Sequence, residues 1–194
     1  MKFIALFIIG TKGTQLRRAD TTQLVTRLVF MSGLLLCFVH LAEAAPWQAR
    51  HGMTSAEYQQ VFNNLTGQGY RLIDVCGYEV GGQDRYAAIW EQRAGPPWEA
   101  RHGLTSAQYQ QTFDDLQGKG YRLVHVSGYG VHGQDFYAAI WEKKSGSPWQ
   151  VRHGMTSPEY QQAFDDLKSQ GYRLVEVSGY SVGGQDRYAA IWSK

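Results

Sequence analysis

The block Trp47-Gln-Ala-Arg-His-Gly returns as Trp98-Glu-Ala-Arg-His-Gly and again as Trp149-Gln-Val-Arg-His-Gly, each time 51 positions on, and the residues downstream of each block return with it. A fixed period of about 50 residues marks a repeat architecture, in which neighbouring units bury each other's surfaces. Any function must therefore suit three near-equal units, which argues against most enzymes built around one unique site. The units are set at residues 45–96, 97–147 and 148–194.

The first 44 residues lie outside the repeat and read as an export signal. Arg17, Arg18 and Arg27 precede an apolar run from Leu28 to Val39, which is shorter than the roughly 20 residues a membrane span needs. Ala42-Glu43-Ala44 is a small-x-small cleavage pattern, so the mature chain is expected to begin at Ala45 and to be secreted, extracellular or periplasmic, with no stable membrane insertion. The flanks of Arg17-Arg18 fit a twin-arginine signal poorly. After residue 44 the chain carries 14 Lys and Arg against 15 Asp and Glu, so its positive charge belongs to the leader and nucleic acid is not an expected partner. Cys76 is the only cysteine after the leader; with no intrachain disulfide available, the apolar core must hold the fold. Ser127 and Ser178 occupy its place in the other units, which marks Cys76 as a small, partly buried filler.

Within a unit, Thr54, Thr105 and Thr156 are each followed three residues later by Glu57, Gln108 or Glu159. This is a capping box and starts a helix. Tyr58, Val61, Phe62 and Leu65 then recur at helical spacing as one apolar stripe, and Gly69, Gly120 and Gly171 close the helices. Next come two runs rich in β-branched and aromatic residues, Tyr121 to Tyr129 and Phe136 to Trp141 in the second copy, joined by the four-residue connection His132-Gly-Gln-Asp135. Gly95-Pro-Pro97 and Gly146-Ser-Pro148 link the units, and the tryptophan block makes a shorter strand. The expected fold class is α+β: three β-α-β-β repeats with antiparallel sheet and a core shared between units, because about 50 residues cannot bury a helix stripe and a sheet face alone. A linear stack and a closed ring both fit.

Few residues carry a reactive signature. Arg50-His51-Gly52 resembles the phosphohistidine motif of histidine phosphatases over three residues only, and the repeat common to all three units has no second histidine to complete that pocket. Asp114-Asp115 and Asp165-Asp166 point apart on a helix and read as a solvated face. His125 and His132 occur only in the second copy, so no metal is expected, and no cofactor either. Neither a nucleophile elbow nor a Ser-x-x-Lys is present. What recurs are two polar pairs beside aromatic residues. Arg50 and His51, Arg101 and His102, Arg152 and His153 form one set; Gln83 and Asp84, Gln134 and Asp135, Gln185 and Asp186 form the other. They are read either as corner and turn residues or as ligand-binding residues displayed three times, beside exposed-edge aromatics, for an extracellular glycan or peptide.

The consensus Trp-x-Ala-Arg-His-Gly-Leu-Thr-Ser…Tyr-Gln-Gln…Gly-Tyr-Arg-Leu-Val…Ser-Gly-Tyr…Gly-Gln-Asp-x-Tyr-Ala-Ala-Ile-Trp resembles the bacterial tandem repeat domain from Pro46 to Trp192. The resemblance implies a repeat region of the kind that often precedes a β-lactamase-like serine hydrolase domain, as in polyglycine hydrolases, whose catalytic serine lies in that second domain. No catalytic residue carries over to these positions. The expectation is a secreted, non-catalytic binding or scaffold module. The alternative is a hydrolase, either truncated before its serine domain or working through an Arg-His site in the repeats.

Overall fold

A computed structural model describes residues 44–194; the expected leader falls outside them but for its last residue. Unit 1 comprises β1 (Trp47–Met53), α1 (Ser55–Gly67), β2 (Arg71–Val80) and β3 (Gln83–Glu91). Unit 2 repeats the order as β4 (Trp98–Thr105), α2 (Ser106–Gly118), β5 (Tyr121–Val131) and β6 (Gln134–Lys143). Unit 3 does so again as β7 (Trp149–Met155), α3 (Ser157–Ser169), β8 (Arg173–Val182) and β9 (Gln185–Ser193). This is the α+β, β-α-β-β architecture expected. No helix among the described residues is long and apolar enough to cross a membrane.

The capping box forms as read: the Thr54 hydroxyl accepts from the Glu57 N–H at 3.3 Å, and the Glu57 carboxylate accepts from the Thr54 N–H at 2.8 Å. Each sheet is antiparallel with the last strand of its unit in the centre, in the orders β1-β3-β2, β4-β6-β5 and β7-β9-β8. The hairpins are tighter than expected. Their loops are two residues, Gly81-Gly82, His132-Gly133 and Gly183-Gly184, all at positive φ, as a type I′ turn requires to match the strand twist. The Gln-Asp pairs therefore open the following strand. His132, at φ +51°, is the one non-glycine residue held at positive φ among the described residues.

A second irregularity explains the Arg-His-Gly motif. Pairing of β1 with β3 shifts between Arg50 and Met53, and the same shift recurs in units 2 and 3. Gly52, Gly103 and Gly154 supply the left-handed conformation at +69°, +65° and +64° that this bulge needs. The motif is thus the bulge of an edge strand, whose pairing resumes at Met53, Leu104 and Met155.

Each sheet has a forward face, which carries its own helix, and a back face. On β6 the residues Tyr137, Ala139 and Trp141 face forward with Tyr109 and Leu116 of α2, while Ala138 and Ile140 face back into the cluster built by unit 1. The forward face of one unit packs on the back face of the next, so the core is shared. Trp98 meets Phe62 of the preceding helix with ring centroids 5.6 Å apart, and Trp149 meets Phe113 at the same distance. The alanine pairs let the layers approach.

The two ends of the stack differ from its middle. Ile140 on the back of unit 2 is 2% exposed, whereas its counterpart Ile89 on the back of unit 1 is 36% exposed. Val126 on the front of unit 2 is 1% exposed and its counterpart Val177 on the front of unit 3 is 49% exposed. Cys76 is exposed rather than partly buried, because it lies on that uncovered back face while Ser127, its equivalent, is buried beneath unit 1.

Candidate functional site

The recurring polar residues divide into two groups once the units are stacked. The arginines stay outside. Arg50, Arg101 and Arg152 are exposed on the edge strands β1, β4 and β7, each hydrogen-bonded to the carbonyl of the residue before it and to the side chain two before. Gln83, Gln134 and Gln185 are likewise exposed, at the hairpin ends.

The histidines turn inward where a preceding unit exists. The His102 ring lies 4.5 Å from that of Tyr58 and 5.0 Å from that of Tyr86, and His153 sits against Tyr109 and Tyr137 at 4.8 and 5.2 Å. The bulge throws each side chain onto the unit before it, so these residues build the junction rather than the strand-to-helix corner. Burial lowers the affinity of both for a proton, against the opposing pull of Asp84 on His102 and Asp135 on His153. His51 has no described unit before it and is exposed.

The aspartates serve the same junctions. Tyr86 donates to the Asp84 carboxylate at 2.8 Å, and its hydroxyl lies 2.6 Å from that of Tyr129 in the next unit. Tyr86 has one proton and gives it to Asp84, so Tyr129 is the donor between the two phenols. Asp135, Tyr137 and Tyr180 repeat this at 2.7 and 2.7 Å. Burial holds Tyr86 and Tyr137 protonated far above the usual phenol range, and Tyr129 is pushed up to about 12. In unit 3, Asp186 is exposed and no such chain forms among the described residues. Tyr86 and Tyr137, beside the Gln-Asp pairs, are therefore buried and not the exposed-edge aromatics expected: stacking covers them.

Two arrangements leave little trace within a single unit of the sequence. The first is a line of Asp74, His125 and Glu176 across all three units, with His125 Nε2 3.4 Å from Asp74 and Nδ1 2.8 Å from Glu176. Burial disfavours the imidazolium, but the hydrogen bonds to Glu176 and the Val75 carbonyl and the charges of Glu176 and Asp74 outweigh it, so its pKa is raised. The alternation of Asp, His and Glu at one repeat position was the available signal. Among the described residues no group of three His, Cys, Asp or Glu is gathered to hold a metal.

The second is Ser55, whose hydroxyl is 3.0 Å from His102 Nε2. Such a pair begins a nucleophile and base set, which needs a third group to orient the imidazole and donors for an oxyanion. Here the carboxylate of Asp84 serves Tyr86 rather than His102. The pair is also not repeated at His153 among the hydrogen bonds of the described residues. The geometry serves packing better than acyl transfer.

A concavity lies on the other edge of the sheets. The edge strands β2, β5 and β8 run beside one another and line a groove of about 690 Å³. Its walls are Gly77, Gly128 and Gly179, Ser127 and Ser178, with the hairpin glycines at one end. The glycines are there because of the stack: a Cβ on Gly77 would lie 2.3 Å from the Tyr129 ring, and one on Gly128 would lie 2.3 Å from the Tyr180 ring. Ser127 and Ser178 accept from the N–H groups of Gly77 and Gly128 at 3.1 and 3.0 Å. The groove thus presents backbone and small polar groups together with the rings of Tyr78 and Tyr180, and Glu79 and His132 stand near its hairpin end.

The pattern of one family, the polyglycine hydrolase-like structural repeat, matches residues 44–93, 95–144 and 146–194. These three stretches take in nearly all of the stacked units, with the same bulge, hairpin and buried aromatic positions in each, and the chain belongs to that family.

Proposed function

We propose that the chain is an exported, non-catalytic repeat module that binds an extended, glycine-rich peptide across its three units. The groove along β2, β5 and β8 carries this reading, since it crosses repeat-equivalent positions and glycine, serine and edge-strand backbone recur along its walls between the tyrosines. The N–H groups of Gly77 and Gly128 are held by Ser127 and Ser178, so an added peptide strand would gain main-chain affinity from the edge-strand groups beyond them, as at Gly179 in the last unit. A peptide with few side chains suits narrow walls of this kind. A glycan is the competing ligand, since sugar faces stack on exposed rings and the half-exposed Tyr78 and Tyr180 line the groove, although Tyr86, Tyr137 and the central tryptophans are buried. The family is described as polyglycine hydrolase-like, and a glycine-rich peptide is the matching chemistry. Gln83, Gln134 and Gln185 at the hairpin ends, and the exposed Arg50, Arg101 and Arg152 on the opposite edge, are further polar contacts for a long ligand. His102, His153, Asp84 and Asp135 hold the junctions that align the units, while His51 and Asp186 are free for contact at the two ends.

Titration of the purified protein with glycine-serine peptides, side-chain-rich peptides of equal length and chito-oligosaccharides tests this reading. The expected result is binding of the glycine-serine series alone, weakened by Ser181→Trp, which fills the groove from an exposed position. Binding of the oligosaccharides instead would replace the peptide with a glycan. Turnover of any of these probes that is lost in Ser55→Ala and in folded His102→Ala would make the protein an enzyme. N-terminal sequencing of protein recovered outside the cell should begin at Ala45.

A further inference from the structure

The stack ends in two unlike faces, and each is the partner of the other. The front of unit 3 has the geometry that units 1 and 2 use to receive a following unit, and the back of unit 1 has the geometry that units 2 and 3 use to dock. We propose that chains associate head to tail, the back of unit 1 in one copy seated on the front of unit 3 in another. Such a contact is heterologous, so it either closes into a ring or continues as a filament.

The elements of an internal junction are present on both halves. Trp47 is 65% exposed and corresponds to Trp98, which packs on Phe62 and lies under Arg71 at 5.6 Å; Phe164 and Arg173 wait at the equivalent places on unit 3. Tyr78 corresponds to Tyr129 and Tyr180, whose rings lie on Gly77 and Gly128. Its seat would be Gly179. That glycine is exposed, and a Cβ on it would meet only Tyr188 at an ordinary 3.5 Å, so nothing among the described residues requires a glycine there. His51 would enter between Tyr160 and Tyr188 as His102 and His153 do in the chain itself. The ion pair of Arg71 with Glu142 at 3.2 Å would be repeated by Arg173 with Glu91 of the second copy.

Two positions weaken this junction relative to the internal ones. Cys76 replaces the serine that accepts from the preceding glycine N–H, and sulfur is a poorer acceptor. Glu176 would face Asp74 of the second copy with no histidine between them, because His125 sits in the middle unit. The association is therefore reversible and weaker than the folding of the chain itself.

Gly179, Tyr78 and Cys76 also line the groove, so head-to-tail association is tested without peptide, and its outcome does not depend on whether a peptide binds. The whole chain is expressed, and the mass of the recovered protein is followed by light scattering and sedimentation across a wide concentration range. The expected result is mass that grows with concentration, with alkylation of Cys76 slowing in step as its face is covered. Gly179→Val should weaken association by at least about tenfold by crowding the Tyr78 seat, with unfolding of the chain unchanged. Asp74→Asn should tighten it by roughly two- to fivefold by removing a like-charge contact. A monomer at every concentration overturns the proposal. Growth that Gly179→Val leaves untouched places the contact elsewhere and overturns it as well.

Discussion

Units 2 and 3 share nearly the same sequence on their front faces, yet Val126 is sealed and Val177 is open, and the same contrast separates Ile140 from Ile89 on the back faces of units 2 and 1. Identical residues thus belong to a core in the middle of the stack and to a surface at its ends. Burial in this fold is set by the neighbour rather than by the unit. A residue's role must accordingly be read by position in the stack as well as by position in the repeat.

Paired substitutions at equivalent positions can break or sharpen that contrast. The largest difference is expected for Ile140→Ala against Ile89→Ala. Removing the buried side chain should cost about 2–5 kcal/mol, as truncation of a core aliphatic does. The half-exposed one should cost a small fraction of that, both read from denaturant unfolding. Equal losses would mean that the end face is as well covered as the middle. Next in size, Gly128→Ala should cost about 1–3 kcal/mol by driving a methyl group into the Tyr180 ring. Gly179→Ala should be neutral or slightly stabilising, since it meets only ordinary contact and removes a flexible residue from a strand.

A smaller effect is expected at the phenol chains. Tyr137→Phe removes the hydroxyl that joins Asp135 to Tyr180 and should cost about 1–2 kcal/mol, while Tyr188→Phe, which has no such chain among the described residues, should change nothing measurable. The smallest concerns pH. Burial holds His102 and His153 below the ordinary histidine value of 6.5, so their contribution is complete above 6.5 and is lost as pH falls through their folded values. His125 runs the other way: its raised value makes its contribution complete below 6.5 and lost as pH rises through the folded value. A His102→Asn, His153→Asn variant should therefore lose less stability than the parent on acidification, and His125→Gln should lose more. Unchanged pH slopes in both would contradict the junction roles given to these rings.

Much of a single unit is legible in the sequence. Thr54 with Glu57 fixes the helix start through a local hydrogen-bond pattern, and the apolar stripe through Tyr58 and Leu65 names the buried helix face. The hairpin loop is two residues shorter than the four expected, because Gln and Asp have low strand propensity and the paired positive φ values of Gly81 and Gly82 leave no mark beyond the glycines themselves. The relation between units is far less legible. Tyr129 touches Gly77 across some 50 residues of chain, and no periodicity within a unit records that contact. Two hints are present: the Gly-Tyr pair inside a strand signals close approach of another layer, and the Asp74, His125, Glu176 column alternates in charge. The candidate arginines and glutamines stay on the surface, whereas His102 and Asp84 are drawn into a junction, because the bulge at Gly103 aims the histidine backward onto the preceding unit.

The central claim is that the three units share one core and stand or fall together. Amide hydrogen exchange of the Trp141→Ala variant tests it most directly, since Trp141 faces unit 3 and lies in a different cluster from the residues unit 1 contributes. The account predicts that protection falls together in β3 of unit 1, β6 of unit 2 and β9 of unit 3, by a common factor corresponding to about 3–5 kcal/mol. Loss confined to unit 2, with the amides of β3 and β9 exchanging as slowly as in the parent, would show three independent domains and contradict it.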